Sequence, residues 1–374
     1  MKPLKLGIIG GSIDSAIGYT HFIASQIDNR FKITAACFSK DNTINEKTSK
    51  EWFHSKINLY NSYKDLLENE INNLDAISIL TPTPTHKEIV LEALEKNYAV
   101  ICEKTLCTNL NDAKDIEALL KRKNGFLAIT YNYTGYHMVR ELKSIIENNE
   151  FGEIFNIQIE MPQDGFIRVS NGTLPSPQKW RMKDIDVPIL SLDLGVHMHN
   201  LISFLTNKKA LSVFGISNNY SEFKIIDDVN IIAKYEDNLV VNGWYSKVAL
   251  GYKNGLQIRV FGKNLSAFWI QNNPEELILN TKNGMKIIKD RASPSNIANL
   301  KRYNRFKAGH PSGFIEAFGN YYSDVANCIA NKKLEGYVFG IKEALEELKF
   351  LEALKESCMK NKLIYIRREN ESRI

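Results

Sequence analysis

The sequence predicts two domains: an α/β domain on a parallel, doubly wound sheet over residues 1–134, and an α+β domain over 135–374. Three observations carry this. In the first 134 residues short β-rich runs alternate with helical patterns, the rhythm of strand–helix–strand units. Beyond about residue 135, strands follow one another across turns such as Glu236-Asp237-Asn238, Lys253-Asn254-Gly255 and Lys282-Asn283-Gly284, the signature of antiparallel pairing. A chain of 374 residues also exceeds what one ordinary core holds.

In chain order, strands are expected at Leu4 to Ile9, Phe31 to Phe38, Asp75 to Leu80, Tyr98 to Cys102 and Phe126 to Tyr131. Helices are expected from Ala16, near Tyr63 to Glu68, at His86 to Lys96 and at Asn109 to Lys121. In the second part a helix at Tyr136 to Glu147 precedes a strand at Ile154 to Met161. A cluster of strands then follows at Val229 to Tyr235, Leu239 to Ser246, Leu256 to Phe261, Ala267 to Gln271, Glu276 to Leu279 and Met285 to Ile288, read as an antiparallel meander. Helical patterns at Gly313 to Asn331 and Gly340 to Lys360 lead to a short strand, Leu363 to Ile366, and these C-terminal helices are expected to fold back on the body.

Composition is that of a globular protein, 44% hydrophobic and 24% charged. The net charge of +5, from 48 basic and 43 acidic residues, is spread without a long like-charge block, which argues against a nucleic-acid partner and leaves room for an acidic or phosphorylated ligand. The basic start Met1-Lys2-Pro3 runs straight into a glycine turn and is no secretory leader, and no 18-residue apolar stretch exists, so a cytoplasmic protein with no membrane partner is expected. The five cysteines form an odd set without metal-ligand spacing; reduced thiols and no metal site are expected.

Glu103-Lys104 follows an apolar strand, which places a carboxylate and an amine at the carboxyl edge where open α/β sheets bind ligands. Asp193 and His197, four apart, share one face of a helix. Together they supply an amine, an acid and a base titrating near neutrality. After the first strand, Gly10-Gly11-Ser12-Ile13-Asp14-Ser15-Ala16-Ile17-Gly18 turns into a helix N-terminus suited to a pyrophosphate, with Gly10, Ser12 and Ile13 nearest to it; Ser12 stands where a strict G-x-G-x-x-G has its second glycine. At the end of the second strand Asp41 suits a ribose 2′-hydroxyl, whereas Ser39 and Lys40 suit a 2′-phosphate, so NAD and NADP both stand. Thr81-Pro82-Thr83-Pro84-Thr85-His86 and Asn132-Tyr133 fall on the same edge, the first also readable as a Pro-rich turn with Thr85 as helix cap. Trp180-Arg181 offers an aromatic face and a guanidinium for a sugar ring or an acidic group. His199 and His310 read as structural, and Lys301-Arg302-Tyr303-Asn304-Arg305-Phe306-Lys307 as a solvated loop.

These pieces in this order resemble the glucose-fructose oxidoreductase, inositol dehydrogenase and rhizopine-catabolism (Gfo/Idh/MocA) family: Gly-Ile-Ile-Gly-Gly with a long loop to Ile17-Gly18-Tyr19-Thr20-His21, Thr81-Pro82-Thr83-x-x-His86, Cys102-Glu103-Lys104 and Asp193-x-Gly195-x-His197. Thr130 to Tyr136, Met161-Pro162-Gln163-Asp164, Trp180-Arg181 and Gly309-His310-Pro311-x-Gly313-Phe314 resemble a subgroup with an extended glycine loop. The resemblance implies an N-terminal Rossmann domain carrying NAD or NADP. It also implies a C-terminal, mostly antiparallel open sheet that often builds a dimer or tetramer interface. The expected activity is hydride transfer between nicotinamide and a secondary hydroxyl or keto carbon of a sugar, inositol or related polyol. Thr81, Pro82, Thr83, His86, Glu103, Lys104 and Asn132 would then face the cofactor, and Lys104, Tyr133, Trp180, Arg181, Asp193 and His197 the substrate. Lys104 matches the family's Glu-Lys-Pro lysine, and Asp193 and His197 its substrate-orienting acid and proton-transfer histidine.

The chemistry accounts for the same residue types: a neutral imidazole can take the hydroxyl proton as hydride leaves, while an ammonium stabilises the alkoxide. Thr105 in place of proline, Asn200 in place of a frequent histidine, the missing glycines before Asp193 and Ser12 are departures that bear on substrate choice. An NAD-recycling glycosidase of the same fold and a non-catalytic NAD(P)-binding sensor are the alternatives.

Overall fold

The computed structural model describes residues 2–366. The chain divides into two compact units, Met1–Gly135 with Phe314–Leu345, and Tyr136–Gly313 with Glu346–Ile374.

In the first unit, strands β1 (Leu4–Gly10), β2 (Phe31–Cys37), β3 (Asn58–Leu59), β4 (Ala76–Leu80), β5 (Ala99–Glu103) and β6 (Leu127–Thr130) form one sheet in the order β3-β2-β1-β4-β5-β6. All its pairs are parallel. Helices α1 (Gly18–Gln26), α2 (Asn42–Trp52), α3 (Tyr63–Asn69), α4 (His86–Glu95) and α5 (Leu110–Lys123) make the crossovers. The order reverses between β1 and β4, which opens a crevice at their carboxyl ends. β4 is buried along its whole length, as a parallel strand covered on both faces must be. Sequence periodicity did not reveal α2, because Asn45 and Thr48 are its buried residues and no apolar stripe marks it; Asp41 caps it by accepting from the Thr43 N–H.

The second unit opens with α6 (His137–Glu147) and β7 (Ile154–Pro162), continues through α7 (Val196–Thr206), and then runs through β8 (Ala210–Asn218), β9 (Asp228–Tyr235), β10 (Val240–Ser246), β11 (Gln257–Gly262), β12 (Leu265–Ile270), β13 (Asn273–Thr281) and β14 (Lys286–Lys289). After these, α8 (Phe314–Asn331) belongs to the first unit, while α9 (Ile341–Lys360) leads back to the second and ends in β15 (Ile364–Tyr365). The nine-stranded sheet has the order β14-β13-β12-β11-β7-β10-β9-β8-β15.

The expected meander is therefore interrupted. β7 lies between β10 and β11, parallel to β10, so Lys253-Asn254-Gly255 joins strands that are not neighbours. The turn Glu236-Asp237-Asn238 does make a hairpin, three residues between Tyr235 and Leu239, with Asp237 at φ +53° and Asn238 at φ +58°, left-handed values that Asn and Asp tolerate in tight turns. β8, unmarked in the sequence reading, forms the partner of β9. From Val229 onward β9 alternates, with Val229, Ile231, Ala233 and Tyr235 buried and Asn230, Ile232 and Lys234 exposed. On the inner face a Cβ on Gly243 would stand 2.8 Å from the Met198 Cε of α7, and one on Gly215 would stand 2.3 Å from the Leu354 Cδ1 of α9. The two glycines let the helices settle on the sheet.

The stretch after β14 is only in part the solvated loop expected from its charge: Lys301 and Lys307 are exposed, but Tyr303 is buried and the backbone is pinned from inside. Buried Arg291 pairs with Glu275 and donates to the carbonyls of Tyr303, Phe306 and His310, and Tyr303 is buried in a 3₁₀ turn. Glu141 of α6, fully buried, accepts from the N–H groups of Asn296, Ile297 and Ala298 and from Lys289. Burial raises its carboxyl pKa, yet these donors outweigh burial and hold it below the ordinary carboxylate range. A depressed folded value means stability that is complete above the unfolded value of about 4.3 and lost as pH falls through the folded one. Glu141→Gln is expected to lower the unfolding free energy by about 1–3 kcal/mol at neutral pH. Urea titrations should show the gap from wild type closing only on acidification below about pH 4; a gap independent of pH contradicts the assignment.

Candidate active site

In the first unit the site is built on the carboxyl edge of the parallel sheet. Gly10 and Gly11 adopt φ of +83° and +69°. A Cβ on Gly10 would lie 2.8 Å from the Leu80 carbonyl carbon and the Thr81 nitrogen, and one on Gly18 2.1 Å from the Gly11 oxygen. Only glycine allows the turn to close this tightly on the end of β4. Within the loop, the Ser15 hydroxyl accepts from Ile17 and Gly18 N–H, and the Ile13 N–H donates to Thr48 Oγ1 at 3.2 Å. Ile13 is thus tied to α2. Ser12 is half-buried.

Ser39 follows β2; its N–H donates to Asn45 Oδ1, and its hydroxyl accepts from the Asp41 N–H. Lys40 is exposed, and one Asp41 oxygen is engaged in capping α2. After β4, Thr83–Thr85 forms a 3₁₀ turn, and the Thr85 hydroxyl reaches back to Thr81 Oγ1 and the Pro82 carbonyl, both at 2.8 Å, so it does not cap α4 with its side chain. His86, 1% exposed, sets Nε2 2.7 Å from the Thr81 carbonyl and Nδ1 2.9 Å from that of Thr105. Desolvation lowers its pKa despite these carbonyls. Its ring is thus engaged in joining the loops after β4 and β5, and it is buried between them.

Glu103 ends β5, with Oε1 3.1 Å from His21 Nε2. Lys104 follows half-buried, and the Lys104–Thr105 peptide is cis. After β6, Asn132 and Tyr133 lie buried in a 3₁₀ turn (Asn132–Gly135) that closes on α8; a Cβ on Gly135 would stand 2.0 Å from the Ala317 oxygen. The Asn132 amide nitrogen is buried without a hydrogen-bond partner. An orphaned donor after β6, on the same sheet edge as the glycine turn after β1, fits a bound dinucleotide.

In the second unit, Ser191–Gly195 is a single π turn leading into α7. Such turns insert a residue into a helix, and here Asp193 sits within it and His197 in the regular helix beyond. Gly195 leaves room for the Tyr245 ring, which would lie 3.1 Å from a Cβ there, and the Tyr245 hydroxyl bonds Ser191 Oγ at 2.7 Å. Asp193 Oδ2 meets Arg181 Nη1 at 2.6 Å and Lys247 Nζ at 3.1 Å. Arg181 is stacked 4.5 Å over Trp180, and Lys247 also donates to Gln163 Oε1 at 2.6 Å. Sequence reading missed Lys247, since a lone lysine after a strand carries no signal. His197 is 6% exposed. His199 is buried against Phe350 at 4.6 Å, and burial lowers its pKa to about 4, so it stays neutral and structural. Among the described residues no cluster of His, Cys, Asp or Glu could hold a metal, the five cysteines are free thiols, and no helix is long and apolar enough to cross a membrane.

A 3-2-1-4-5-6 parallel sheet with a glycine turn at its switch point defines a dinucleotide-binding fold class. The chain belongs to the Gfo/Idh/MocA family: residues 4–131 match the oxidoreductase family's NAD-binding Rossmann fold, and residues 139–267 match the GFO/IDH/MocA C-terminal domain. It is an NAD-binding oxidoreductase. It is 29% identical to the uncharacterized oxidoreductase YfiI of Bacillus subtilis over 346 residues, 89% of this chain and 87% of that one. It is 24% identical to myo-inositol 2-dehydrogenase of Thermotoga maritima over 56% of this chain and 57% of that one. In fold it is similar to an inositol dehydrogenase homolog from Azotobacter vinelandii complexed with NADH and myo-inositol, with a TM-score of 0.86, 23% identity, and coverage of 97% of this chain and 98% of that one.

Asp193→Asn leaves Arg181 and Lys247 with a neutral partner and is expected to cost about 1–3 kcal/mol in urea unfolding. Arg181→Met should cost less, since Lys247 remains on the carboxylate. An unchanged midpoint for the Asn variant would show that the cluster carries no stability.

Proposed function

We propose that this protein transfers a hydride between NAD or NADP and a secondary hydroxyl or keto carbon of a sugar, inositol or related polyol, with Lys104, Asp193 and His197 as its catalytic residues. The observation that carries this reading is the position of Glu103-Lys104 at the end of β5, on the sheet edge formed by the glycine turn and the Thr81-Pro82-Thr83 loop. The polyol class is supported by the Thermotoga relative, a myo-inositol 2-dehydrogenase. Gly10, Ser12 and Ile13 would hold the pyrophosphate, Ser39, Lys40 and Asp41 the adenosine ribose, and Thr81, Pro82, Thr83, Glu103 and Asn132 the nicotinamide half, with His86 bracing the loops from behind. The nicotinamide, when bound, supplies the hydride acceptor or donor. Lys104, as an ammonium, stabilises the substrate alkoxide, and a ring nitrogen of His197 takes or returns the hydroxyl proton. Asp193 orients a substrate hydroxyl while Arg181 and Lys247 fix its carboxylate; Tyr133 and Trp180 border the sugar.

Sugars, inositols and sugar acids presented with each cofactor should yield reduced nicotinamide in proportion to product. Lys104→Met and His197→Ala are each expected to lower kcat about a hundredfold or more with cofactor Kd nearly unchanged. Hydrolysis without accumulation of reduced nicotinamide would favour the glycosidase, and cofactor binding without turnover of any polyol would favour the sensor.

The outer face of the large sheet supports a homo-oligomer. Ile216 and Ile232, 49% and 55% exposed, lie with Phe214 and Trp244 around an open hollow of about 360 Å³. An apolar sheet face of this kind suits a second copy of the chain, as a dimer or tetramer. Ile232→Lys is expected to shift the light-scattering mass toward one chain; a wild type already monomeric at high concentration rules the interface out.

A further inference from the structure

We infer that His21 is a positioning residue: with Tyr322 and Ser78 it holds the Glu103 carboxylate in one orientation and thereby sets the end of β5 that carries Lys104. Four side chains from four elements of the first unit form a continuous buried chain. Ser78 Oγ of β4 lies 3.3 Å from the Tyr322 hydroxyl of α8, that hydroxyl lies 2.7 Å from His21 Nδ1 of α1, and His21 Nε2 lies 3.1 Å from Glu103 Oε1.

The direction of the chain follows from donor chemistry. An ionised carboxylate only accepts, so Nε2 carries the proton. In the neutral ring Nδ1 then offers a lone pair, which obliges Tyr322 to donate to it, and the Tyr322 oxygen in turn takes the Ser78 proton. Burial keeps the Tyr322 hydroxyl protonated by raising its pKa well above the ordinary range. The ring is also held in place by edge contacts with Phe318 at 5.0 Å and Tyr322 at 5.8 Å. Each donor has one acceptor, and the sequence runs one way toward Glu103.

This arrangement is more than the satisfaction of a core histidine. His21 and Ser78 are 0% exposed and Tyr322 is 1% exposed, whereas the Glu103 side chain is 12% exposed. The chain therefore reaches solvent at the carboxylate, on the ligand edge of the sheet. His21 also lies in the first turn of the helix that begins at Gly18, so one hydrogen bond links the helix leaving the glycine turn to Glu103, the last residue of β5 before Lys104. A hydrogen-bonded, packed supporting shell of this kind is what keeps a site within its working geometry.

The inference rests on the proposed cofactor edge, and its test reads cofactor binding apart from turnover. The full-length protein and its His21→Gln, His21→Asn, His21→Phe and Tyr322→Phe variants would be titrated with NADH and NADPH by calorimetry, alongside melting temperatures and steady-state kinetics. Glutamine places a donor where Nε2 stood; asparagine and phenylalanine do not. The Asn and Phe variants are expected to weaken cofactor binding about tenfold and to lower kcat by at least as much, with Gln restoring most of both and Tyr322→Phe intermediate. If Phe fails to fold, the Gln against Asn comparison decides alone. The inference is overturned if Asn binds cofactor as wild type does, or if Gln loses as much as Asn. Should the polyol reading be the one in error, no protein turns over any polyol, yet the binding pattern across the variants stands.

Discussion

The closeness of the β1 turn to the end of β4 is the constraint from which the first unit's site follows. Gly10, Gly11 and Gly18 sit where a Cβ would meet backbone or side chain at 2.8 Å or less. A side chain on Gly10 would press on the Leu80–Thr81 backbone, one on Gly11 on the Leu80 side chain, and one on Gly18 on the turn's own backbone, so the turn could not keep this path. With the turn in place, the loops after β4, β5 and β6 need their own fixings, because each leaves the sheet where backbone hydrogen bonding ends. His86 is packed between the loops after β4 and β5, its single N–H in the neutral ring available to one of the two carbonyls it faces, and α8 covers the turn after β6 by bonding Gly135 through Asn320.

Charge at these positions is oriented by partners. Asp193 lies between a guanidinium and an ammonium, Glu103 takes one imidazole bond, Glu141 takes three backbone N–H groups and Lys289, and Glu275 takes Arg291. A carboxylate removed from water is costly unless such donors surround it. The directions of these acids are therefore set by the fold itself.

The topology of the second unit explains how Lys247 joins Asp193. β7 and β10 are parallel neighbours, so their carboxyl ends emerge side by side. Gln163, just past β7, and Lys247, just past β10, therefore meet at 2.6 Å, and Lys247 continues to Asp193 in the π turn before α7. Had β10 paired with β11, as a simple meander requires, Lys247 and Gln163 would not be joined by this register.

The sequence by itself determined the parts that rest on local chemistry. Continuous apolar runs mark strands covered on both faces, a glycine turn marks where β1 gives way to α1, and a charged pair after an apolar run marks the end of β5; the positions of Gly10, Glu103 and Lys104 in the fold are legible for these reasons. Tertiary structure alone decided which loop meets which. The insertion of β7 between β10 and β11, the return of residues 314–345 to the first unit, the service of Asp41 as a helix cap and of His86 as a loop brace, and the chain from Ser78 to Glu103 join residues far apart in sequence. Periodicity records which face of an element is buried, but it does not record the partner that buries it, and a hydrogen bond between His21 and Tyr322 leaves no mark on either segment alone.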